Sequence, residues 1–233
     1  MSGWLVGIPF TSGPITLFLY LDHGAGFATN AALGSLLGIF ATIAWGLAYS
    51  SLAWRGTALL PCVLAGLVVF AAVGTVVRDL PIGPLPLYFG LVIVLLVSIR
   101  LVPPSSRHDG VHLPWWDLPA RMILATSLVL TITGSATLLG PRLAGLLATI
   151  PLYASILSGF AHTLAGPRSA VDVWRGLLYG LFGFGAFYLM LAMFLEPFGL
   201  AAFAVAIGAA VLMQVATLRM VRRLPATPPG TAS

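Results

Sequence analysis

Lysine is absent from this 233-residue chain, cysteine occurs once, and only 7% of positions carry charge. Each shortage excludes something. With Cys62 alone, no intramolecular disulfide can form and no thiolate cluster can hold zinc or iron. Charge at this level cannot coat a water-soluble domain, in which about a quarter of residues are normally charged. The motifs that carry common hydrolytic and phosphate chemistry, HExxH, GxxxxGK[ST] and GxSxG, are also missing. No clustered set of charged groups replaces them, so the chain is expected not to be an enzyme and no cofactor is implied.

What remains is apolar. Hydrophobic residues make up 59% of the chain, in runs close to the roughly 20 residues that cross a bilayer core. The runs are uniformly apolar instead of alternating, which points to helices and not to a barrel. Met1-Ser2-Gly3-Trp4 has no basic run ahead of the first apolar stretch, so that stretch is expected to be a span and not a cleaved leader. The expected class is an all-α, polytopic helical membrane protein of about eight transmembrane helices, at 3–21, 29–53, 57–77, 85–102, 118–139, 143–163, 171–195 and 200–220. This divides the chain into a first membrane repeat at 1–102, a loop at 103–117, a second repeat at 118–223 and a proline-rich tail at 224–233 that is expected to be disordered.

The formal charge of +5 comes from eleven arginines, and their distribution carries more information than their sum. If the N-terminus is cytoplasmic, then Arg55, Arg100, Arg107, Arg121, Arg168, Arg175, Arg219, Arg222 and Arg223 face the cytoplasm, and only Arg78 and Arg142 face outward. Nine against two follows the positive-inside bias and puts both termini in the cytoplasm of a multi-pass bacterial inner (plasma) membrane protein. Arginines scattered over helix ends do not form the basic face that nucleic-acid binding requires. Partners are therefore expected to be the lipid bilayer and a small neutral, zwitterionic or lipid-like substrate, with no nucleic acid.

Sliding the sequence along itself by 142 residues aligns Gly3 with Gly145, Pro9 with Pro151, Gly24 with Gly166, Gly34 with Gly176, Gly38 with Gly180 and Gly66 with Gly208. Residues 3–77 match at 18 of 75 positions, where this composition would give about 7 by chance. Spans one to three correspond to spans six to eight. A displacement of five helices reverses direction, so the pattern reads as a partial inverted-topology repeat, a plan common among secondary transporters.

The repeat pairs two proline-interrupted spans. Pro9 and Pro14 remove amide donors in span one, and Pro151 removes one in span six. With Thr11, Ser12, Thr149 and Tyr153 beside them, the freed carbonyls form a candidate substrate path. The plain alternative is a pair of kinks repaired by neighbouring side chains. Asp22, His23 and His162 are candidate proton-coupling groups, or else ordinary residues of the membrane boundary. Gly34, Gly38, Gly176 and Gly180 form small-xxx-small faces, expected to pack span two on span seven, with a homodimer through the same faces as the other use. His108, Asp109 and His112 in the loop include metal-competent side chains, but a proline-rich loop fixes no geometry and no metal site is expected.

"AGLLATIP" at 144–151, Gly166, "DVWRGLLYG" at 172–180 and Tyr188 follow one another in an order that resembles small bacterial inner-membrane proteins of the GlpM-like type. The resemblance covers residues 118–223 and implies an inner-membrane location without a defined activity. The first copy departs from it, with Asn30 and Leu33 where Asp172 and Arg175 stand. Taken together, these features lead to the expectation of a small inner-membrane transporter or permease whose ligand path runs between interrupted spans one and six. The alternative is a noncatalytic accessory or scaffold subunit of a membrane complex.

Overall fold

The computed structural model describes residues 12–102 and 117–223. Pro9, Thr11, the 103–116 loop with its histidines, and the 224–233 tail lie outside the described residues. Among those described, every element is an α-helix, so the chain is an all-α polytopic membrane protein. The helices are α1 (Ser12–His23), α2 (Ala25–Trp54), α3 (Leu59–Val77), α4 (Pro84–Leu101), α5 (Asp117–Gly134), α6 (Ala136–Leu139), α7 (Pro141–Leu147), α8 (Leu152–Ala165), α9 (Pro167–Phe198) and α10 (Ala201–Arg223).

Local chemistry sets many of these limits. α4, α7 and α9 each begin on a proline at the first helical position, where the missing amide costs nothing. α2 and α9 each follow a glycine in a backbone conformation closed to other residues, Gly24 at φ 83°, ψ 177° and Gly166 at φ 90°, ψ 167°. These two glycines stand 142 residues apart, as do the first residues of α2 and α9 and the first residues of α3 and α10.

Among the described residues, six helices or helix pairs are long and apolar enough to cross a bilayer: α2, α3, α4, the α7–α8 pair, α9 and α10. Two of the eight expected spans have different outlines. The described part of span one is the 12-residue α1, and span five stops at Gly134, before Ser135 and the four-residue α6, so that its apolar portion is Met122–Gly134. Ser135 divides 118–139 into two helical pieces, and Gly140 at φ 74° ends the second.

α2 and α9 form the centre. The most apolar stretch of each is 72% buried inside the protein, against 22 to 28% for α3, α4 and α10. The outer helices turn leucine and valine outward, including Leu60, Val68 and Val76 on α3 and Leu212 on α10. Hydrocarbon covers such side chains at no cost. Gly46 lies against Trp174, and a Cβ on Gly26 would stand 3.8 Å from Glu196, so α2 and α9 run antiparallel. Ser35 meets Gly145, Thr42 meets Thr149 and Tyr49 meets His162, so α2 and the α7–α8 pair run parallel. One core joins the helices before the loop to those after it.

The two ends of the bundle differ in charge. Arg55, Arg100, Arg168, Arg175 and Arg219 gather at one end with Asp172. Arg175 there donates to the Val102 carbonyl at 2.9 Å, tying α9 to the end of α4. The opposite end holds Asp22, Asp79 and Glu196 with Arg78 and Arg142, and Arg142 donates to the Leu80 carbonyl at 3.4 Å.

Candidate ligand path in the membrane interior

Span six is interrupted where its proline predicts. α7 stops at Leu147, α8 begins at Leu152, and Pro151 between them is buried. A proline cannot donate to the carbonyl four residues back and its ring crowds that carbonyl, so a continuous helix through 148–151 is disfavoured. Backbone groups at such a break need other partners, because hydrocarbon supplies none. Two of those partners come from α2. Ser35 donates to the Gly145 carbonyl at 3.0 Å and Thr42 to the Thr149 carbonyl at 2.9 Å. The hydroxyl of Thr149 returns to the Leu146 carbonyl at 2.7 Å, and the Ile150 amide takes the Leu147 carbonyl at 3.1 Å. The carbonyls around Pro151 are therefore repaired from within the protein. Thr149 faces its own backbone.

Ser35, Thr42 and Tyr49 are spaced by seven residues and share one face of α2. The third of them reaches α8: the Tyr49 hydroxyl and His162 Nδ1 are 2.9 Å apart, with both residues buried. Trp174 packs on Tyr49 at 5.6 Å between ring centroids and on Trp45 at 6.2 Å. None of these α2 residues was among the candidates drawn from the sequence, although their seven-residue spacing on an otherwise apolar helix was a readable signal.

Gly34 and Gly38 face span six and not span seven. A Cβ on Gly34 would run into the Arg142 backbone, and one on Gly38 into Thr149 and Leu146. Gly145 approaches the Ala31 backbone equally closely from the other side. The glycine that meets α9 is Gly46, under Trp174. Gly180 is buried in α9 and Gly176 is half-buried.

A second polar group has a different character. Ser12, Thr16, Ser35 and Tyr188 are buried, and the Tyr188 hydroxyl lies near the other three without a hydrogen bond of ordinary geometry to any of them. Thr16 donates to the Ser12 carbonyl at 3.0 Å and Ser35 is engaged with Gly145. The hydroxyls of Ser12 and Tyr188 have no hydrogen-bond partner among the described residues. Ile15 and Leu19 of α1 meanwhile pack with Ala31, Ala144 and Ala148, bringing span one beside span six.

The remaining candidates are dispersed. Pro14 lies exposed on the outer face of α1, and Tyr153 is half-buried. Asp22 is exposed and His23 stacks on Phe27 at 4.6 Å, at the end of the bundle opposite His162. The 26 residues of α2 between the His23 and Tyr49 levels span roughly 39 Å. Those three titratable groups do not meet as one relay. Among the described residues no three of His, Cys, Asp and Glu come together as a metal site would need. No family model, curated protein or solved structure matches this chain.

Proposed function

We propose that this protein is a small transporter or permease of the bacterial inner membrane, with its ligand path between α1 and the α7–α8 pair. The observation that carries the proposal is the buried pair of unpartnered hydroxyls on Ser12 and Tyr188. An unsatisfied hydroxyl away from water costs roughly 1 to 3 kcal/mol, and two such groups are retained at a cost unless a polar guest satisfies them. Ser12 on α1 and Tyr188 on α9 then form the polar wall of the path. Thr149 and Pro151 mark the rigid break on the span-six side of the path.

The architecture supports this reading. Equivalent helices start 142 residues apart, and α2 and α9, which occupy equivalent places, run in opposite directions. We read this as an inverted repeat that positions a site near mid-depth, as transporters built from such repeats do. Hydroxyls without a buried charge suit a neutral, zwitterionic or lipid-like substrate. The arginine-rich end is assigned to the cytoplasm, which puts both termini there. The resemblance of residues 118–223 to GlpM-like membrane proteins agrees with this location.

Single cysteines at Thr11, Ser12, Ala148 and Thr149, in a Cys62→Ala background, test the path. A membrane-impermeant thiol reagent is expected to reach Ser12→Cys from both sides in turn, with Ala148→Cys and Thr149→Cys less reactive because that segment is sealed against α2. Silence at all four positions from both sides would overturn the transporter reading in favour of a scaffold subunit.

A further inference from the structure

A cavity of about 430 Å³ opens at the arginine-rich end of the bundle. Its walls are two turns, Trp54-Arg55-Gly56 leaving α2 and Gly166-Pro167-Arg168 joining α8 to α9. We propose that this cavity binds a phosphate group, carried either by a phospholipid headgroup or by a water-soluble phosphate ester. The proposal does not depend on the transport path.

Two guanidinium groups line the cavity, and neither forms an ion pair with the described residues, among which the sole ion pair is Arg78 with Asp79. Arg168 sits with its guanidinium carbon 5.2 Å from the centre of the Trp54 ring. The ring's negative face holds the cation there without consuming N–H donors, so the planar fork stays free for an oxyanion. Arg55 closes the end of α2, where its backbone amide donates to the Leu52 carbonyl and that of Gly56 to the Ala53 carbonyl, while the Arg55 side chain remains exposed.

The turns leave room for a ligand. Gly56 at φ +80° and Gly166 at φ +90° hold left-handed conformations, and a Cβ on either would meet nothing within 4 Å. The first turn of α9 has no side-chain cap, so the positive end of a 32-residue helix opens on the cavity. The carboxyl ends of α2 and α8 oppose it with about half a negative charge each. Two full positive charges outweigh both. A volume of about 430 Å³ accommodates a phosphate with its glycerol or a comparable polar group.

The corner related by the 142-residue repeat provides an internal control. Glu196 stands there in the place of Trp54, Gly26 in the place of Arg168 and Gly24 in the place of Gly166. The glycine turn is shared, but the facing helix end is not: α2 stops at Trp54 and leads into Arg55 and Gly56, whereas α9 continues helical through Glu196 to Phe198. Basic pockets between transmembrane helices on the cytoplasmic side are established sites for anionic headgroups.

The test uses the full chain purified in a neutral detergent. Binding of phosphatidylglycerol is followed by native mass spectrometry and binding of inorganic phosphate by titration calorimetry, for wild type, R55Q/R168Q and E196Q. The expected result is a tenfold or greater loss of affinity in R55Q/R168Q with E196Q unchanged. Loss in the lipid arm alone assigns a headgroup, and loss in the inorganic phosphate arm assigns a soluble phosphate ester. Should the double variant elute as aggregate, R55Q and R168Q are measured singly, with at least a threefold loss expected in each. Equal affinity in wild type and the arginine variants, or no binding of either probe by wild type, overturns the proposal.

Discussion

Two buried polar clusters lie between the same central helices, and they resolve their hydrogen bonding in opposite ways. Along one face of α2, Ser35, Thr42 and Tyr49 each find a partner on span six, so that cluster is closed on itself. Where α1 approaches α9, the hydroxyls of Ser12 and Tyr188 find none among the described residues. A broken helix alone therefore does not make a ligand site. The break at Pro151 is mended by a polar stripe, and the hydroxyls of Ser12 and Tyr188 are not among the groups it mends. The distinction assigns stability to the first cluster and function to the second, and six substitutions can break or sharpen it.

The largest effect is expected where the stripe brings backbones together. Gly145→Val drives a branched side chain into the Ala31 backbone, which cannot swing aside as a flexible side chain would. Core overpacking ordinarily costs about 1 to 3 kcal/mol, and a collision with main chain should exceed that range. We expect loss of monodisperse protein in size-exclusion chromatography. Gly208→Val, at a glycine of α10 with nothing within 4 Å of a Cβ, should leave the elution unchanged. Equal behaviour of the two variants would mean that α2 and α7 do not meet closely.

Next comes the mend itself. Thr42→Val keeps the shape of the side chain but removes the donor to the Thr149 carbonyl, leaving that group without its partner from α2. Hydrogen bonds between membrane helices are worth about 0.6 kcal/mol on average and up to about 2, and an orphaned carbonyl belongs at the upper end. Thermal unfolding in detergent should shift down by several degrees. Tyr49→Phe is expected to cost less, about 0.5 to 1 kcal/mol, because His162 can rotate its free nitrogen toward another partner while the ring contact with Trp174 survives. A Tyr49→Phe effect larger than that of Thr42→Val would place the weight of the stripe at α8 and not at the break.

Much of this arrangement was written in the sequence, although not the pairing of its parts. Pro151 announced the interruption of span six, and the 142-residue spacing anticipated the matched starts of α2 and α9 and their glycine caps. Small-xxx-small spacing reported correctly that Gly34 and Gly38 admit a close neighbour, but such a pattern carries no information about which neighbour, and the expected span-seven contact proved to be span six. His162 was recognisable as a rare titratable group in an apolar run. Its partner Tyr49 is 113 residues away and becomes visible only when the packing is known. Span five was drawn too long because apolar composition continues through Ser135, whereas the helix does not. Tyr188 entered only as part of a resemblance, since one hydroxyl on a large ring scarcely disturbs an apolar run.

The smallest effect on stability is also the sharpest test. Tyr188→Phe removes a hydroxyl that makes no hydrogen bond to the described residues while keeping the ring against Phe184 and Phe187. If the space beside it is simply packed protein, losing an unsatisfied buried group should leave the unfolding temperature unchanged or raise it slightly, within about 0.5 kcal/mol, with no other consequence. If a polar guest uses that hydroxyl, stability again hardly moves, but labelling of Ser12→Cys by the impermeant reagent should slow severalfold, because the wall that admitted water has become apolar. Ser12→Ala combined with Tyr188→Phe should then resemble either single change, because both hydroxyls serve the same guest. A double variant that loses stability steeply would show that the two hydroxyls were partners of each other, and the second cluster would then be as closed as the first.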